Sequence, residues 1–263
     1  LLTVLNRRWS DVFGAKVFRQ WEEKAFGGKN ALWLVGGTCF ELFAATNPDQ
    51  AIGRWVGKQG PGWHSLEWTI PSLEEAIEIV GQHGIRVTDN VPGSYIFTHP
   101  KDLHGVCLEL TTHHFENDDR EIPGWQPIYW SNEHALGITG KVTIKVAAAE
   151  PAVAAASVAD LVGQDTYSAE RPELRAVGHG IEFSDHSLEF IGSRTGANDD
   201  LIGSFVERRG ARIFCTTFHV RDFEAARGYL TDKDIKYSQL ADSSLLIDPE
   251  VTRGALFEVA GAG

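Results

Sequence analysis

Two glutamates surrounded by apolar residues are the side chains of this sequence best suited to do chemistry. Glu109 lies between two leucines, and Glu41 lies between a phenylalanine and a leucine. Successive side chains of a strand point to opposite faces, so each carboxylate is expected to point away from an aliphatic surface. If the two carboxylates face each other across an apolar cup, they repel, and at least one is expected to be protonated unless a cation lies between them. Such a pair suits general acid-base catalysis or metal binding.

The chemistry depends on whether a metal is present. A metal between Glu41 and Glu109 would bind a substrate carbonyl oxygen and stabilise the enolate that forms when an α-proton is removed. Without a metal, Glu109 or Glu67 would be the base, and other donors would have to stabilise the enolate. The structural alternative is that these glutamates are solvated residues on the open face of an antiparallel sheet.

The same strand pattern recurs in the second half of the chain. Glu189 and Glu258 also lie among apolar neighbours, so four such strands follow one another at intervals of roughly 70 residues. Each of the four units has the pattern of a strand, a helix and then three strands. The sequence therefore predicts an α+β fold built from four βαβββ modules.

Hydrophobic periodicity places the elements of these modules. Helical spacing of apolar residues predicts helices at 1–14, 73–80, 151–162 and 223–230. Alternating or continuous apolar runs predict strands at 31–35, 39–43, 63–70, 85–87, 94–97, 106–110, 142–146, 176–183, 188–191, 212–220, 244–247 and 255–259. The glycine-rich stretch 53–62 is expected to be a connector.

A change of composition divides the chain into two predicted domains. From residue 116 to about 136 the sequence is polar and proline-containing, with neither strand nor helix periodicity. We therefore expect a first domain at 1–120, a linker at 121–136 and a second domain at 137–263. A chain of this length can hold two domains that each bury their own core.

Composition excludes several classes of partner. The 24 Lys and Arg against 36 Asp and Glu give a net charge of -12, which repels nucleic acid and anionic lipid. No apolar run approaches the roughly 18 residues of a membrane span, and the first residues do not resemble a signal peptide. Three cysteines fit neither a disulfide framework nor a cysteine-based zinc site. A cytoplasmic protein that binds a small molecule is expected.

Two stretches carry a resemblance to a known family. The residues 97–110 (FTHPKD…GVCLEL) resemble the closing hairpin of methylmalonyl-CoA epimerase, and 62–76 (GWHSLEWTIPSLEEA) resemble its third-quarter strand and helix. With the repeated βαβββ pattern, the chain resembles the vicinal oxygen chelate superfamily, which includes glyoxalases, bleomycin-resistance proteins and extradiol dioxygenases. The resemblance implies that the modules pair into two glyoxalase-like domains.

The resemblance also implies a metal site in the first domain. In the family, two His from first strands and two Glu or Gln from fourth strands bind a divalent metal (Zn, Co, Ni, Mn or Fe). Glu41 and Glu109 match the carboxylate positions. One His position would lie before Leu1, on a first strand that this sequence lacks, and the other falls on Ser65. His64, one residue earlier, would serve as a ligand only if a bulge turns it to the same face.

The corresponding positions of the second domain do not suit a metal. They are Lys141, Glu189, Cys215 and Glu258, and a protonated lysine is a poor ligand. A buried or bridged Lys–Glu pair beside a packed thiol is the expected arrangement there. We therefore expect the second domain to be a metal-free structural partner or an accessory pocket.

Two functions from different classes remain. The first is an isomerase, epimerase or glyoxalase-like lyase that moves a proton next to a carbonyl, with Glu109, Glu41 and Glu67 as catalytic residues. The second is a metal-free protein that sequesters an aromatic ligand in the same cup, as bleomycin-resistance proteins do. An extradiol dioxygenase fits less well, because its second domain carries two His and a Glu. The chain is expected to be either a monomer, in which the two domains form a pseudo-dimer, or a homodimer.

Overall fold

A computed structural model describes residues 2–24, 27–195 and 200–261. Seven α-helices are described; they are α1 (Leu2–Phe13), α2 (Ala51–Gln59), α3 (Leu73–Gln82), α4 (Pro151–Val162), α5 (Leu201–Arg209), α6 (Phe223–Asp232) and α7 (Pro249–Thr252). The polar stretch 116–136, which includes the predicted linker, contains two short helical turns, at Asp119–Glu121 and Tyr129–Glu133. None of the described helices is long and apolar enough to cross a membrane.

Fifteen strands are described between these helices. In the first half they are β1 (Lys16–Glu23), β2 (Gly28–Val35), β3 (Thr38–Ala45), β4 (Leu66–Thr69), β5 (Val87–Val91), β6 (Tyr95–Thr98) and β7 (Leu108–Thr111). In the second half they are β8 (Ile138–Ala147), β9 (Thr166–Arg171), β10 (Ala176–Glu182), β11 (His186–Ser193), β12 (Arg212–Val220), β13 (Tyr237–Ala241), β14 (Ser244–Ile247) and β15 (Phe257–Gly261).

The strand and helix order confirms the predicted α+β class and its βαβββ modules. Three modules begin with β4, β8 and β12, and each continues with a helix and three further strands. The first module begins with α1 and continues with β1 to β3. Glu41, Glu109, Glu189 and Glu258 lie on β3, β7, β11 and β15, the closing strands of the four modules.

Strand pairing follows the modular order. One sheet has the order β1-β2-β3, a second has the order β4-β7-β6-β5, and the third is β13-β14-β15-β12-β8-β11-β10-β9. In the second and fourth modules the first strand pairs in parallel with the closing strand, as β4 does with β7 and β12 with β15. This pairing places the side chains of a first strand directly beside the glutamate of the closing strand.

The contacts group the chain into two compact units that do not follow the predicted boundaries. Unit 1 combines residues 1–62, 115–142 and 216–263, and unit 2 combines residues 63–114 and 143–215. Each unit therefore takes segments from both halves of the sequence. The division at 120 and 137 stays a prediction about the repeat.

Unit 1 has an aromatic core. Trp9 of α1 packs against Trp33 of β2, with ring centroids 4.3 Å apart, and against Phe257 of β15 at 5.0 Å. Phe218 of β12 stacks on Phe257, with a centroid distance of 5.3 Å. These rings are buried, and burial of such large side chains is a main source of stability.

Unit 2 has an aliphatic core that helices α3 and α4 share. Leu73 and Val80 of α3 lie in one buried cluster with Ala155 and Val158 of α4. Ser72 begins α3, because its side chain accepts a hydrogen bond from the backbone N–H of Glu75. The helix predicted at 73–80 is confirmed and continues to Gln82.

The stretch expected to be a connector is instead a helix. Helix α2 occupies residues that the glycines at 53 and 57 made look irregular. A side chain at Gly53 would place its Cβ 2.1 Å from the backbone oxygen of Asn47. The glycine therefore allows two backbone segments to approach closely. The sequence pattern does not distinguish such a glycine from one that ends a helix.

Candidate acid-base site

Glu67 and Glu109 lie side by side on neighbouring strands of unit 2. Strand β4 pairs in parallel with β7, and Glu67 stands opposite Glu109 in the register. Neighbouring strands are about 4.8 Å apart, so the two carboxylates share one face at close range. Both residues are half-buried. The structure thus brings together two of the three residues predicted as catalytic.

Aromatic residues continue the same face. Phe97 of β6 stands opposite Glu109, and Tyr95 stands opposite Thr111. The Tyr95 and Phe97 rings meet edge to face, with centroids 5.5 Å apart. Asp89 of the edge strand β5 pairs with Phe97 and therefore also belongs to this surface. We call the surface formed by Glu67, Asp89, Tyr95, Phe97 and Glu109 the acidic face.

The opposite face of the same strands fixes the glutamates in place. Leu108 and Leu110 are buried in the core of unit 2, and Leu66 and Trp68 pack against that core. Since strand side chains alternate, burying these four residues turns Glu67 and Glu109 away from the core. A slip of one residue would bury both carboxylates, so the register is strongly determined.

His64 lies near the acidic face, although simple alternation predicts the opposite. Trp63 and Leu66 both pack against the core, and they are three residues apart. An unbroken strand at 63–70 would send them to opposite faces, but β4 begins only at Leu66. The His64 ring instead contacts Phe97 edge to face at 6.0 Å, and its Nδ1 lies 3.0 Å from Ser65 Oγ. Desolvation lowers the pKa of His64, which keeps the ring neutral near pH 7.

Cys107 lies just before β7 and is held in its neutral form. Burial, and next the charge of Glu109, raise the pKa of the Cys107 thiol to about 11. Its Sγ points at the backbone oxygen of Thr98, 3.8 Å away. A neutral, packed thiol is a weak nucleophile, so we assign Cys107 no catalytic role.

Glu41, the third predicted catalytic residue, lies in unit 1. The register of β2 and β3 places Glu41 opposite Leu32 and Phe40 opposite Trp33. Glu41 therefore points away from the aromatic core. Its Oε1 accepts a hydrogen bond from Asn30 Nδ2 at 3.2 Å. Asn30 is buried, and its Oδ1 has no hydrogen-bond partner.

The divalent metal that the resemblance implies needs several donor side chains close together. Within residues 2–24, 27–195 and 200–261, no three His, Cys, Asp or Glu side chains are grouped so that they could hold a metal. A catalytic metal site ordinarily uses three protein ligands. The described residues do not fit such a site, and the ligand set Glu41, Glu109 and His64 stays a prediction.

The second half of the chain contains a buried charged cluster that the sequence analysis missed. Glu189 is fully buried, and Arg171 donates from Nε and Nη2 to both of its carboxylate oxygens, at 2.7 and 2.5 Å. Tyr167 donates its hydroxyl proton to Glu189 Oε2 at 3.0 Å. Burial and the charge of Glu189 raise the pKa of Tyr167, so the phenol keeps its proton.

Strand β8 contains one exposed lysine and one buried lysine. Lys141 is exposed rather than buried, and the expectation of a buried or bridged Lys–Glu pair stays a prediction. Lys145, on the same strand and face, is buried, and its Nζ lies 4.0 Å from Glu173 Oε1. Arg171 is the last residue of strand β9, whose side chains alternate between exposed and half-buried. Nothing in the local pattern indicated which glutamate it would reach.

Glu258 is held by hydroxyl groups. In unit 1, Thr217 Oγ1 donates to Glu258 Oε2 at 2.7 Å, and Ser244 Oγ donates to Oε1 at 2.5 Å. Glu258 is buried, as is Cys215 in unit 2. The buried thiol agrees with the expected packed cysteine.

Comparisons with known proteins identify solved structures of similar fold. The sequence matches no protein-family model, and no curated protein matches it. Its structure is similar to a triple mutant of 4-hydroxymandelate synthase from Streptomyces coelicolor, over 98% of this chain and 89% of that chain, with a TM-score of 0.62 and 11% identity. Methylmalonyl-CoA epimerase from Mycobacterium tuberculosis matches 50% of this chain and 91% of its own, with a TM-score of 0.42 and 16% identity.

A second epimerase gives a similar match. Methylmalonyl-CoA epimerase from Streptomyces coelicolor, in complex with 2-nitronate-propionyl-CoA, matches 46% of this chain and 92% of its own, with a TM-score of 0.41 and 15% identity. At these low sequence identities the comparisons show a similarity of fold alone. Of the three matches, the synthase has the TM-score that supports this similarity. The chain shares the fold of 4-hydroxymandelate synthase.

Proposed function

We propose that the acidic face catalyses proton transfer next to a carbonyl group, as an isomerase or epimerase does. The observation that supports this function is the in-register pair of Glu67 and Glu109. Two carboxylates at this distance repel, and sharing one proton relieves the repulsion. A pair that holds one proton offers a base and an acid at the same time.

The proposed reaction assigns one role to each carboxyl group. The ionised carboxylate removes the α-proton, and its neighbour donates a hydrogen bond to the carbonyl oxygen as the enolate forms. Returning a proton to the α-carbon completes the exchange or the epimerisation. No step passes through a metal, and the ligand is a small molecule.

The test replaces each carboxylate by its neutral isostere. We expect Glu109→Gln and Glu67→Gln each to lower the rate of α-proton exchange by at least about a hundredfold, because general acid-base catalysis contributes roughly that much. Exchange is followed by proton NMR in D₂O with a panel of small ketones and acyl thioesters. Both variants should keep the stability of the unmodified protein, since the carboxylates are half-buried and glutamine keeps their shape.

Glu75→Gln is the matched control, because Glu75 is an exposed glutamate on α3 of the same unit. It should exchange protons at the unmodified rate. Full activity in both Glu109→Gln and Glu67→Gln would remove the acidic face from the mechanism.

A second function, sequestration of an aromatic ligand, is favoured by one observation. Tyr95, Phe97 and His64 present three rings next to the glutamates. Such a protein would bind its ligand without exchanging protons. Tight binding with no exchange above the rate in buffer would therefore identify a binding protein.

A further inference from the structure

Strand β3 is the outer strand of its sheet. Among the described strands its one neighbour is β2, and the two pair without a register shift from Thr38 to Ala45. In the second and fourth modules the closing strand has a further neighbour, the parallel first strand β4 or β12. The first module begins with α1, so β3 presents the edge that a first strand occupies in those modules.

The exposure of β3 agrees with an open edge. Glu41 and Leu42 are half-buried, and Phe43 is 37% exposed. Strand β11, the closing strand of the third module, lies between β8 and β10, and its residues 186–192 are all buried. A closing strand with neighbours on both sides is thus covered more completely than β3.

The other edge strands carry features that discourage pairing with another chain. A register shift interrupts the pairing of β1, β5 and β13 with their neighbours. Strand β4 has only four residues, and β9 ends with Glu170 and Arg171. Strand β3 has eight residues (TCFELFAA) in regular register, with one charged side chain and no proline. A long, regular and apolar edge of this kind is a template for a further strand.

Helix α2 lies near one end of β3. Gly28 pairs with Ala45, and a Cβ at Gly28 would lie 2.6 Å from Ile52 Cδ1 of this helix. The remaining part of the strand, residues 38–43, includes the exposed Phe43. We call the outer edge of residues 38–43 the β3 edge.

We propose that the β3 edge binds an extended segment of another polypeptide, aligned parallel to β3. The parallel direction follows from β4 and β12, which pair in parallel with the closing strands of their modules. Each of the fifteen described strands already belongs to one of the three sheets, so we assign the segment to a partner chain. Backbone hydrogen bonds supply the affinity. Every second side chain of the segment lies on the face of Phe40 and Leu42 and is therefore expected to be apolar.

A synthetic peptide with the sequence of residues 212–220 is the probe, because β12 takes the equivalent edge in the fourth module. It should bind the full chain with a dissociation constant of about 100 µM or tighter, measured by isothermal titration calorimetry. In the protein the Thr216 N–H donates to the Leu256 oxygen at 3.2 Å. A methyl group on the Thr216 nitrogen of the peptide should weaken binding at least about tenfold, because it removes the matching donor. A methyl group on the Thr217 nitrogen, which points to the opposite edge, should leave the affinity within about threefold.

Cysteines test the parallel register. In the fourth module Thr217 stands beside Glu258. Glu41 takes the place of Glu258 in the first module, so Cys215 of the bound peptide stands beside Cys39 of the β3 edge. The peptide cysteine is activated as a mixed disulfide with thionitrobenzoate. The Cys39 thiolate should displace thionitrobenzoate and form a disulfide with the peptide.

Two controls locate this reaction. A peptide whose cysteine is moved by one position (Cys215→Ser, Thr216→Cys) should react at least about tenfold more slowly, because successive side chains point to opposite faces. The protein variant Cys39→Ser should not react, whereas Cys107→Ser should react like the unmodified protein.

Failure of the peptide to bind at about 1 mM, equal weakening by the two methyl groups, or a reaction rate that ignores the position of the cysteine would overturn the proposal. A dimer joined through β3 would overturn it as well and would assign the β3 edge to a second copy of this chain. Sedimentation detects such a dimer as a mass that rises with protein concentration and that Phe43→Lys lowers to that of the monomer.

Discussion

Glu189 and Glu258 show two ways in which this chain accommodates a buried carboxylate. Arg171 donates two hydrogen bonds to Glu189, and its positive charge balances the negative one. Glu258 accepts hydrogen bonds from the neutral hydroxyls of Thr217 and Ser244. Buried polar and charged groups are tolerated when they are paired or hydrogen-bonded, and both carboxyl groups meet this condition.

Removing one partner of the Arg171–Glu189 pair is expected to destabilise the protein more than replacing both partners with apolar residues. Arg171→Leu should lower the free energy of unfolding by about 3–5 kcal/mol, because it leaves the fully buried Glu189 without its cation. The double variant Arg171→Leu, Glu189→Leu should recover a large part of that loss. Urea denaturation followed by circular dichroism measures both. A single variant within about 1 kcal/mol of the unmodified protein would show that the pair is dispensable.

At the scale of the element, two glycines of strand β10 make room for side chains of the neighbouring strands β9 and β11. A side chain at Gly180 would bring its Cβ within 2.5 Å of the Tyr167 ring and 2.8 Å of the Leu188 backbone oxygen. At Gly178 the Cβ would lie 2.6 Å from Glu189 Oε1. The two glycines therefore leave the space that the Tyr167 and Glu189 side chains fill.

Alanine substitutions at two glycines of unit 2 are expected to change the stability of the protein in opposite directions. Gly180→Ala should destabilise the protein by about 1–3 kcal/mol, because the Leu188 backbone cannot move away easily. Gly81→Ala, on α3 with open space around the new methyl group, should stabilise it by roughly 0.5–1 kcal/mol. Thermal unfolding of the two variants provides the comparison, and a Gly180→Ala protein of unchanged stability would mean that both the Tyr167 ring and the Leu188 backbone can move aside.

Elements were predictable from the sequence where a single periodicity governs them. The helix expected at 151–162 and the strand expected at 212–220 have those bounds in the structure. Helix α2 was missed because Gly53 is needed for a close backbone contact. The face of His64 was left conditional on a bulge, because the shift of alternation just before β4 leaves no mark in the composition.

The residues of the candidate site were named one by one from the sequence, whereas the pairing of Glu67 with Glu109 was not predictable. Glu109 was recognised from its apolar neighbours, and Glu67 was named as an alternative base. Their direct apposition depends on the parallel register of β4 and β7, which joins residues 42 positions apart. Arg171 was overlooked for the same reason, since its partner Glu189 lies two strands away. Long-range register is set by the packing of whole faces, which a local pattern does not contain.

At the scale of the whole molecule, the compact units cross the sequence repeat. Unit 2 joins residues 63–114 to residues 143–215, and its core contains side chains from both segments. Leu73 and Val80 of α3 share that core with Ala155 of α4 and Phe190 of β11. A fragment that ends at residue 120 would lose α4 and β11 and expose the apolar side of α3.

We therefore expect the fragment 1–120 not to fold by itself, although the repeat marks it as a domain. Exposed apolar surface of this extent favours a loosely packed or aggregating state. The fragment should bind the dye ANS and show no cooperative urea transition, and mixing it with the fragment 137–263 should restore both the transition and low dye binding. If residues 1–120 unfold cooperatively alone, the sequence repeat defines the folding unit, and the shared core of α3 and α4 forms only afterwards.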